Sequence, residues 1–277
     1  FNLVPSLLTV SAIAAQPMDG GTVTGRAALQ IPAQGDRFLL NAQFQAAQLS
    51  GDAIARLYNA SPGFALGLIS GTALVSGPPE NIQTVVQFQA PKAAYPTVGR
   101  VLVRGRTATL QDVVAQIKGG ELHLDGIVTD KQVQLNAAFP GLALTAYSPD
   151  LQGALSGRLA IDGPLAGFSA KTARAQGSVR FSKGLSLIQD PITAQIQWNG
   201  RQILVDRAAA PNFVARGTVG ASLDGPAGPQ LTTLNLNRLA NNYKLNRLSA
   251  LGLPQNPLHG LAALTGTLVG TLAAPTL

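Results

Sequence analysis

Along most of this chain, apolar and polar residues alternate with a period of two. Residues 192–198 place Ile192, Ala194, Ile196 and Trp198 on one side and Thr193, Gln195 and Gln197 on the other. The same pattern sets Val133, Leu135, Ala137 and Phe139 against Gln132, Gln134 and Asn136. It recurs with Phe38, Leu40, Ala42, Phe44 and Ala46 against Asn41, Gln43 and Gln45, and with Val86, Phe88 and Ala90 against Gln87 and Gln89. Successive side chains of a strand point to opposite faces, so each run predicts a strand with one apolar and one polar side. Parallel strands are usually buried on both faces and read as continuous apolar runs, so the alternation favours antiparallel pairing. Thirty glycines and eighteen prolines punctuate these runs at intervals of about 8–12 residues, the rhythm of turns in an all-β protein. Helical signal is confined to two short connectors. Asp52 is expected to cap one that runs to about Tyr58, and Leu245, Leu248 and Leu251 mark another ending near Gly252 and Pro254.

The strands also repeat. Gly67-Leu-Ile-Ser-Gly71 runs on to Gly77-Pro78, and Gly153-Ala-Leu-Ser-Gly157 runs on to Asp162-Gly163-Pro164. Gly21-Thr-Val-Thr-Gly25 is a third copy, and Leu264-Thr-Gly-Thr-Leu268 is a looser fourth. A second pattern pairs Gly99-Arg100, Val101–Val103 and Leu124-Asp125-Gly126 with Gly200-Arg201, Ile203–Val205 and Leu223-Asp224-Gly225. Repeats of this kind predict hairpins stacked in line, each touching mainly its neighbours. The expected fold is all-β: an elongated, mainly antiparallel sheet of stacked hairpins. No linker divides residues 1–277, which read as one repeat-built domain with approximate modules 1–65, 66–150 and 151–277.

Composition narrows the function. Hydrophobic residues make up 46% and charged residues 12%, against roughly 25% charged in ordinary domains. Disorder needs the opposite balance. The net charge of +7 comes from basic residues scattered singly, without the clusters and interleaved aromatics of a nucleic-acid binder. It is compatible with weak attraction to anionic membranes. With no cysteine, disulfides and thiolate metal sites are excluded. The chain begins at Phe1, and Met18 is its only methionine, as expected of a processed or excised piece. No signal peptide is visible. The apolar stretch Phe1–Ala15 is interrupted by Asn2, Pro5 and Ser6, and it is shorter than the ~20 residues of a membrane span.

Catalytic constellations are missing. His123 and His259 are the only imidazoles, and neither has a ligand partner at metal-binding spacing. His123, in Glu121-Leu122-His123-Leu124-Asp125, takes the outward place of an alternating strand. Gly20-Gly21-Thr-Val-Thr-Gly25 superficially resembles a phosphate loop but lacks the Lys-Ser/Thr ending and a following helix, so it reads as a turn. No nucleophile elbow and no carboxylate couple stands out. The sequence therefore predicts a non-enzymatic protein without cofactor or metal.

Gly153-Ala-Leu-Ser-Gly-Arg-Leu-Ala-Ile-Asp-Gly-Pro164 and Leu264-Thr-Gly-Thr-Leu-Val-Gly-Thr-Leu-Ala-Ala-Pro-Thr-Leu277 resemble stretches of the TamB family of AsmA-like envelope proteins. The pattern is spread over all modules, and no membrane anchor is visible, so an interior segment is expected. The resemblance implies a sheet curled into a groove with an apolar inner face. It implies inner-membrane anchoring outside this segment and a place in the periplasm or cell envelope. The family is implicated in moving phospholipid between inner and outer membranes and in assembling outer-membrane proteins with a β-barrel partner. It contributes no catalytic residues. The groove lining expected here is Phe38, Leu40, Phe44, Val86, Phe88, Leu122, Leu124, Val133, Leu135, Phe139, Ile192, Ile196 and Trp198, touching phospholipid acyl chains. Each methylene sheltered from water contributes ~0.8 kcal/mol, so tails would be held without a headgroup site. Two other classes share these features. A closed β-solenoid or secreted passenger domain would fill its own apolar interior. A scaffold for unfolded outer-membrane β-barrel proteins would offer exposed strand edges instead.

Overall fold

The computed structural model describes residues 6–31, 38–57, 64–147, 152–183, 190–222, 230–244, 260–270 and 275–276. Its strands are β1 (Ser6–Ala15), β2 (Thr22–Ile31), β3 (Leu39–Ser50), β4 (Leu68–Gly77), β5 (Gln83–Ala90), β6 (Thr97–Arg104), β7 (Thr107–Ile117), β8 (Gly120–Val128) and β9 (Gln132–Ala143). They continue as β10 (Ala154–Pro164), β11 (Arg174–Phe181), β12 (Ile192–Trp198), β13 (Gln202–Ala210), β14 (Phe213–Ser222), β15 (Gln230–Lys244), β16 (Leu261–Gly270) and β17 (Pro275–Thr276). One α-helix, α1 (Gly51–Leu57), follows β3. Antiparallel ladders join β1 through β7 in succession and β10 through β17 in succession. The strands belong to one sheet that is not closed into a barrel. The protein is all-β and antiparallel, as the alternation predicts.

Two compact units divide the contacts. The first comprises Phe1–Gln116, His123–Leu135 and Pro164–Phe168, and the second comprises Ile117–Leu122, Asn136–Gly163 and Ser169–Leu277. In the first unit, β1–β7 form a meander. Its polar face carries cross-strand pairs: Arg26 donates to Gln43 Oε1 at 3.0 Å, and Arg104 donates through Nε and Nη2 to Gln83 Oε1 at 3.1 and 2.8 Å. Pairs of this kind contribute ~0.2–1 kcal/mol each.

In the second unit, β10–β17 form the corresponding meander. Its core is a cluster of Phe139, Leu142, Val179 and Ala194, against which Ile117, Leu122, Leu155, Leu159, Phe181, Ile196 and Ala208 pack. Gly157 makes room for it. A Cβ at that position would meet the Phe139 ring at 2.7 Å and the Ser178 carbonyl at 2.6 Å.

Helix α1 occupies the expected place, but its cap differs. Ser50 Oγ accepts the Ala53 N–H at 3.1 Å, the bond of an N-cap to the third helical residue. Asp52 lies inside the first turn, where its Oδ1 accepts the Leu66 N–H at 2.9 Å and ties down the chain leading to β4. The connector expected around Leu245–Leu251 lies outside the described residues. Gly20 and Gly21 form the turn into β2 with φ of 93° and 86°.

Candidate functional site

Each ladder aligns the apolar positions of one strand with those of the next. In the first unit a row runs Gly25, Phe44, Ala73, Val86, Val101, Leu110 from β2 to β7. The adjacent row runs Val23, Ala46, Gly71, Phe88, Gly99. In the second unit one row runs Leu159, Gly177, Ile196, Val205, Gly217, Leu236, Leu268 from β10 to β16. The neighbouring row runs Gly157, Val179, Ala194, Ala208, Ala215, Arg238, Gly266. These rows form a continuous apolar face within each unit.

By register Leu40, Phe44, Val86, Phe88, Ile192, Ile196 and Trp198 lie on these faces, and Phe139 and Leu122 pack against that of the second unit. Leu40, Phe44, Val86, Phe88, Leu122, Leu124, Leu135, Ile196 and Trp198 are half-buried, and Val133, Phe139 and Ile192 are buried. Their alternating partners Asn41, Gln87, His123, Gln134, Gln195 and Gln197 are exposed. Phe38 departs from the pattern: it lies ahead of β3 and is 47% exposed. The β2–β3 register begins at Leu39, opposite Gln30, one residue after Phe38. Trp198 donates its indole N–H to the Ala170 carbonyl at 2.7 Å, which satisfies the polar edge of a ring whose body faces the apolar side.

The glycine repeat has a structural cause in two parts. Its first glycine takes a left-handed turn before the strand, with φ of 86° at Gly21, 66° at Gly67 and 85° at Gly153. A side chain is strained there. Its second glycine lies on the apolar face beside a phenylalanine. Gly25 is opposite Phe44 and Gly71 is opposite Phe88, while the Phe139 ring lies over Gly157. In the fourth copy, Gly266 is opposite Arg238. The second repeat pattern matches less well: Gly99 sits within β6, whereas Gly200 is a turn residue with φ of 93°.

The apolar face of β2–β6 is less buried than β7 of the same unit, where Val113 and Ala115 are buried, and than the Phe139 cluster of the second unit. From β2 to β6, every Leu, Ile, Val and Phe on the apolar face is half-buried, and only Ala90 is buried. In the second unit, the Phe139 cluster packs the face against itself around Leu122, Ile196 and Phe181. The predicted lining residues therefore divide into a packed group and an incompletely covered group.

Sequence reasoning missed two features. The first is a set of bulges. The registers shift between Val10 and Ile13, Ala46 and Leu49, and Val205 and Ala208. Extra residues keep the apolar positions on one face, and Gln48 and Asp112 take φ of 56° and 51°. Their N–H groups are satisfied by the neighbouring strand: Gln48 donates to Ser70 Oγ and Asp112 to Asp125 Oδ1, both at 3.0 Å. The second feature is Arg238. Among the described residues, every other Lys or Arg with a described side chain is exposed, whereas Arg238 is half-buried. Its Nε is buried and, among the described residues, donates to no acceptor. A buried donor without a partner costs about 1–3 kcal/mol, and more when charged. The signal was present in Leu234-Asn-Leu-Asn-Arg238, where alternation puts Arg238 in phase with Leu234 and Leu236.

The fold and this face define an antiparallel β-sheet protein with one mainly apolar side; on the opposite side of β3–β6 the polar residues are interrupted by Leu39, Leu74, Val85, Val98 and Leu102, of which Leu39, Leu74 and Val98 are exposed. No protein family, curated protein or solved structure matches the chain.

Proposed function

We propose that this chain is a non-enzymatic segment of an envelope protein whose apolar sheet face holds phospholipid acyl chains. The observation that carries this reading is the incompletely covered face of β2–β6, where Leu40, Phe44, Val86 and Phe88 remain half-buried. Apolar surface left open to water favours an apolar occupant, at ~25 cal/mol for each Å² covered. An acyl chain of ~15 Å, half of a ~30 Å hydrocarbon core, is matched by about three strand spacings of ~4.8 Å. The face is built of aliphatic, small and a few aromatic residues, as a path for sliding tails requires.

The repeated Gly-x-hydrophobic-Ser/Thr-Gly stretches connect this reading to TamB-like proteins. By that resemblance the segment lies in the periplasm, passes phospholipid between inner and outer membranes, and supports outer-membrane protein assembly with a β-barrel partner. The packed Phe139 cluster favours the alternative of a self-filled interior for part of the second unit. Acyl chains are accordingly assigned first to the face of β2–β6.

Because the chain contains no cysteine, single labels are clean reporters. Val86→Cys and Gln87→Cys, each carrying bimane, are incubated with brominated-chain phospholipid vesicles. Strong quenching at position 86 and little at 87 is expected. Equal quenching at both positions, or none at either, rejects the apolar face as the binding surface.

A further inference from the structure

In the first unit, the face opposite the apolar one has a pattern of its own. Register sets Gln43, Leu74, Val85 and Leu102 in one row from β3 to β6, and Arg26 of β2 heads that row, opposite Gln43. The rows on either side end in arginines on β6, where Arg104 is opposite Gln83 and Arg100 is opposite Gln87. Leu102 therefore stands between Arg100 and Arg104 on one face of one strand. All three arginines are exposed. Gln43 holds Arg26 and Gln83 holds Arg104, each by accepting guanidinium N–H bonds at Oε1.

Charge sign and exposure set this face apart. Strands β1–β6 contain no Asp or Glu, so nothing within them offsets the three arginines, and the next strand brings the first carboxylate, Asp112. The polar face of the second unit mixes signs: Asp162 is opposite Arg174, and Asp206 accepts a bond from Gln197. Leu74 and Val98, both on the arginine face, are each 52% exposed. On the apolar face of β2–β6 the large side chains are half-buried. Within β2–β6, the apolar side chains that protrude furthest thus stand among the cations.

The complement of such a face is anionic, with apolar matter close beneath. A second copy does not fit, because two arginine faces without carboxylates repel each other. The cations reach from β2 to β6, about 19 Å at four strand spacings, so the partner must keep one sign over that distance. A bilayer containing anionic phospholipid does so. Its phosphates suit bidentate contact with guanidinium groups, and its acyl boundary takes up protruding aliphatic side chains. We propose that the arginine face of β2–β6 docks on an anionic phospholipid bilayer, with Arg26, Arg100 and Arg104 among the headgroups and Leu74 and Val98 at the acyl boundary. This docking surface lies on the opposite side of the sheet from the face assigned to acyl chains and goes beyond that assignment.

The full chain is mixed with vesicles of phosphatidylcholine, alone or with phosphatidylglycerol in a two-to-one ratio, and bound protein is measured by flotation. Binding is expected only with phosphatidylglycerol, with release at ~1 M salt. Arg100→Gln should weaken it about fivefold, since an arginine near an anionic surface contributes ~1 kcal/mol. Arg216→Gln removes an exposed cation of β14 and leaves the same net charge, yet should weaken binding less than about twofold. Equal losses would mean that net charge alone attracts the vesicles, which overturns a localised docking face. An environment-sensitive nitrobenzoxadiazole label on Leu74→Cys should shift to the blue when phosphatidylglycerol vesicles are added. A shift of that label at Val86→Cys with none at Leu74→Cys puts the bilayer against the apolar face; it overturns this proposal and leaves the acyl-chain reading standing. A shift at Leu74→Cys without quenching of bimane at Val86→Cys by brominated lipid does the reverse. If the Leu74→Cys label responds to a soluble peptide of alternating leucine and glutamate but not to vesicles, the face is a protein interface and the bilayer assignment fails.

Discussion

At the scale of single residues, glycine and phenylalanine on one face act as a matched pair. A Cβ at Gly71 would collide with the Gln87 carbonyl and lie 3.0 Å from Phe88 Cα. These are backbone atoms of the neighbouring strand, so the ladder itself must shift. Overpacking of this kind costs about 1–3 kcal/mol. Gly71→Ala is therefore expected to lower the urea midpoint by an amount in that range. Gly141→Ala is the control, since its nearest contact would be Ala154 Cβ at an ordinary 3.9 Å, and it should change stability by less than about 0.5 kcal/mol. Similar losses for both would mean that the loss reflects the general cost of replacing a strand glycine and not the close approach of β5. Gly and Phe were each visible in the sequence. Their pairing depended on register, which alternation within one strand does not specify.

At the scale of elements, the same alternating pattern produces strands with different surroundings. Phe88 in β5 and Phe139 in β9 have equivalent places in their sequence runs. Phe88 remains half-buried, whereas Phe139 is 7% exposed and anchors a cluster with Leu142, Val179 and Ala194. Removing a packed phenylalanine costs about 3–5 kcal/mol. Phe139→Ala should fall in this range by denaturant unfolding, and Phe88→Ala should cost less than half as much. If Phe88→Ala is equally destabilising, the face of β2–β6 is a closed core and the lipid reading loses its main support. The bulges belong to this scale too. Each polar or small pair that interrupts alternation, such as Gln111-Asp112 between Leu110 and Val113, restores the apolar phase after the shift. That signature was readable, because three-residue spacing between apolar positions inside a strand requires an inserted residue.

For the described residues as a whole, basic charge is kept off the apolar face except at Arg238. Apart from Arg238, the described basic side chains are exposed, and the formal net charge is +7. Exposed charges are screened over ~8 Å at physiological salt and ~3 Å at 1 M. Association with phosphatidylglycerol vesicles should therefore slow as salt rises toward ~1 M. If apolar contact holds the lipid, the amount retained per chain after separation should change little, because such contact is weakly screened. Stopped-flow mixing and lipid quantification check the two quantities separately. A parallel loss of rate and retained lipid would locate binding on the charged surface.

By itself, the sequence determined the secondary structure and the sidedness of the strands. Apolar alternation with glutamine and asparagine admits one local solution, a strand with one wet face, and the runs at Phe38–Ala46, Val86–Ala90, Val133–Phe139 and Ile192–Trp198 contain little else. It also marked the turns, since glycines such as Gly21, Gly67 and Gly153 occupy a backbone region that other residues avoid. The tertiary structure decided what each apolar face meets. Cross-strand register is a contact between residues distant in sequence, and it placed phenylalanine beside three repeat glycines and Arg238 beside the fourth. Packing likewise separated the Phe139 cluster from the half-covered face of β2–β6, because burial depends on which side chains from other strands arrive above a residue. Alternation specifies the side on which a residue lies, and only the assembled ladders specify its company there.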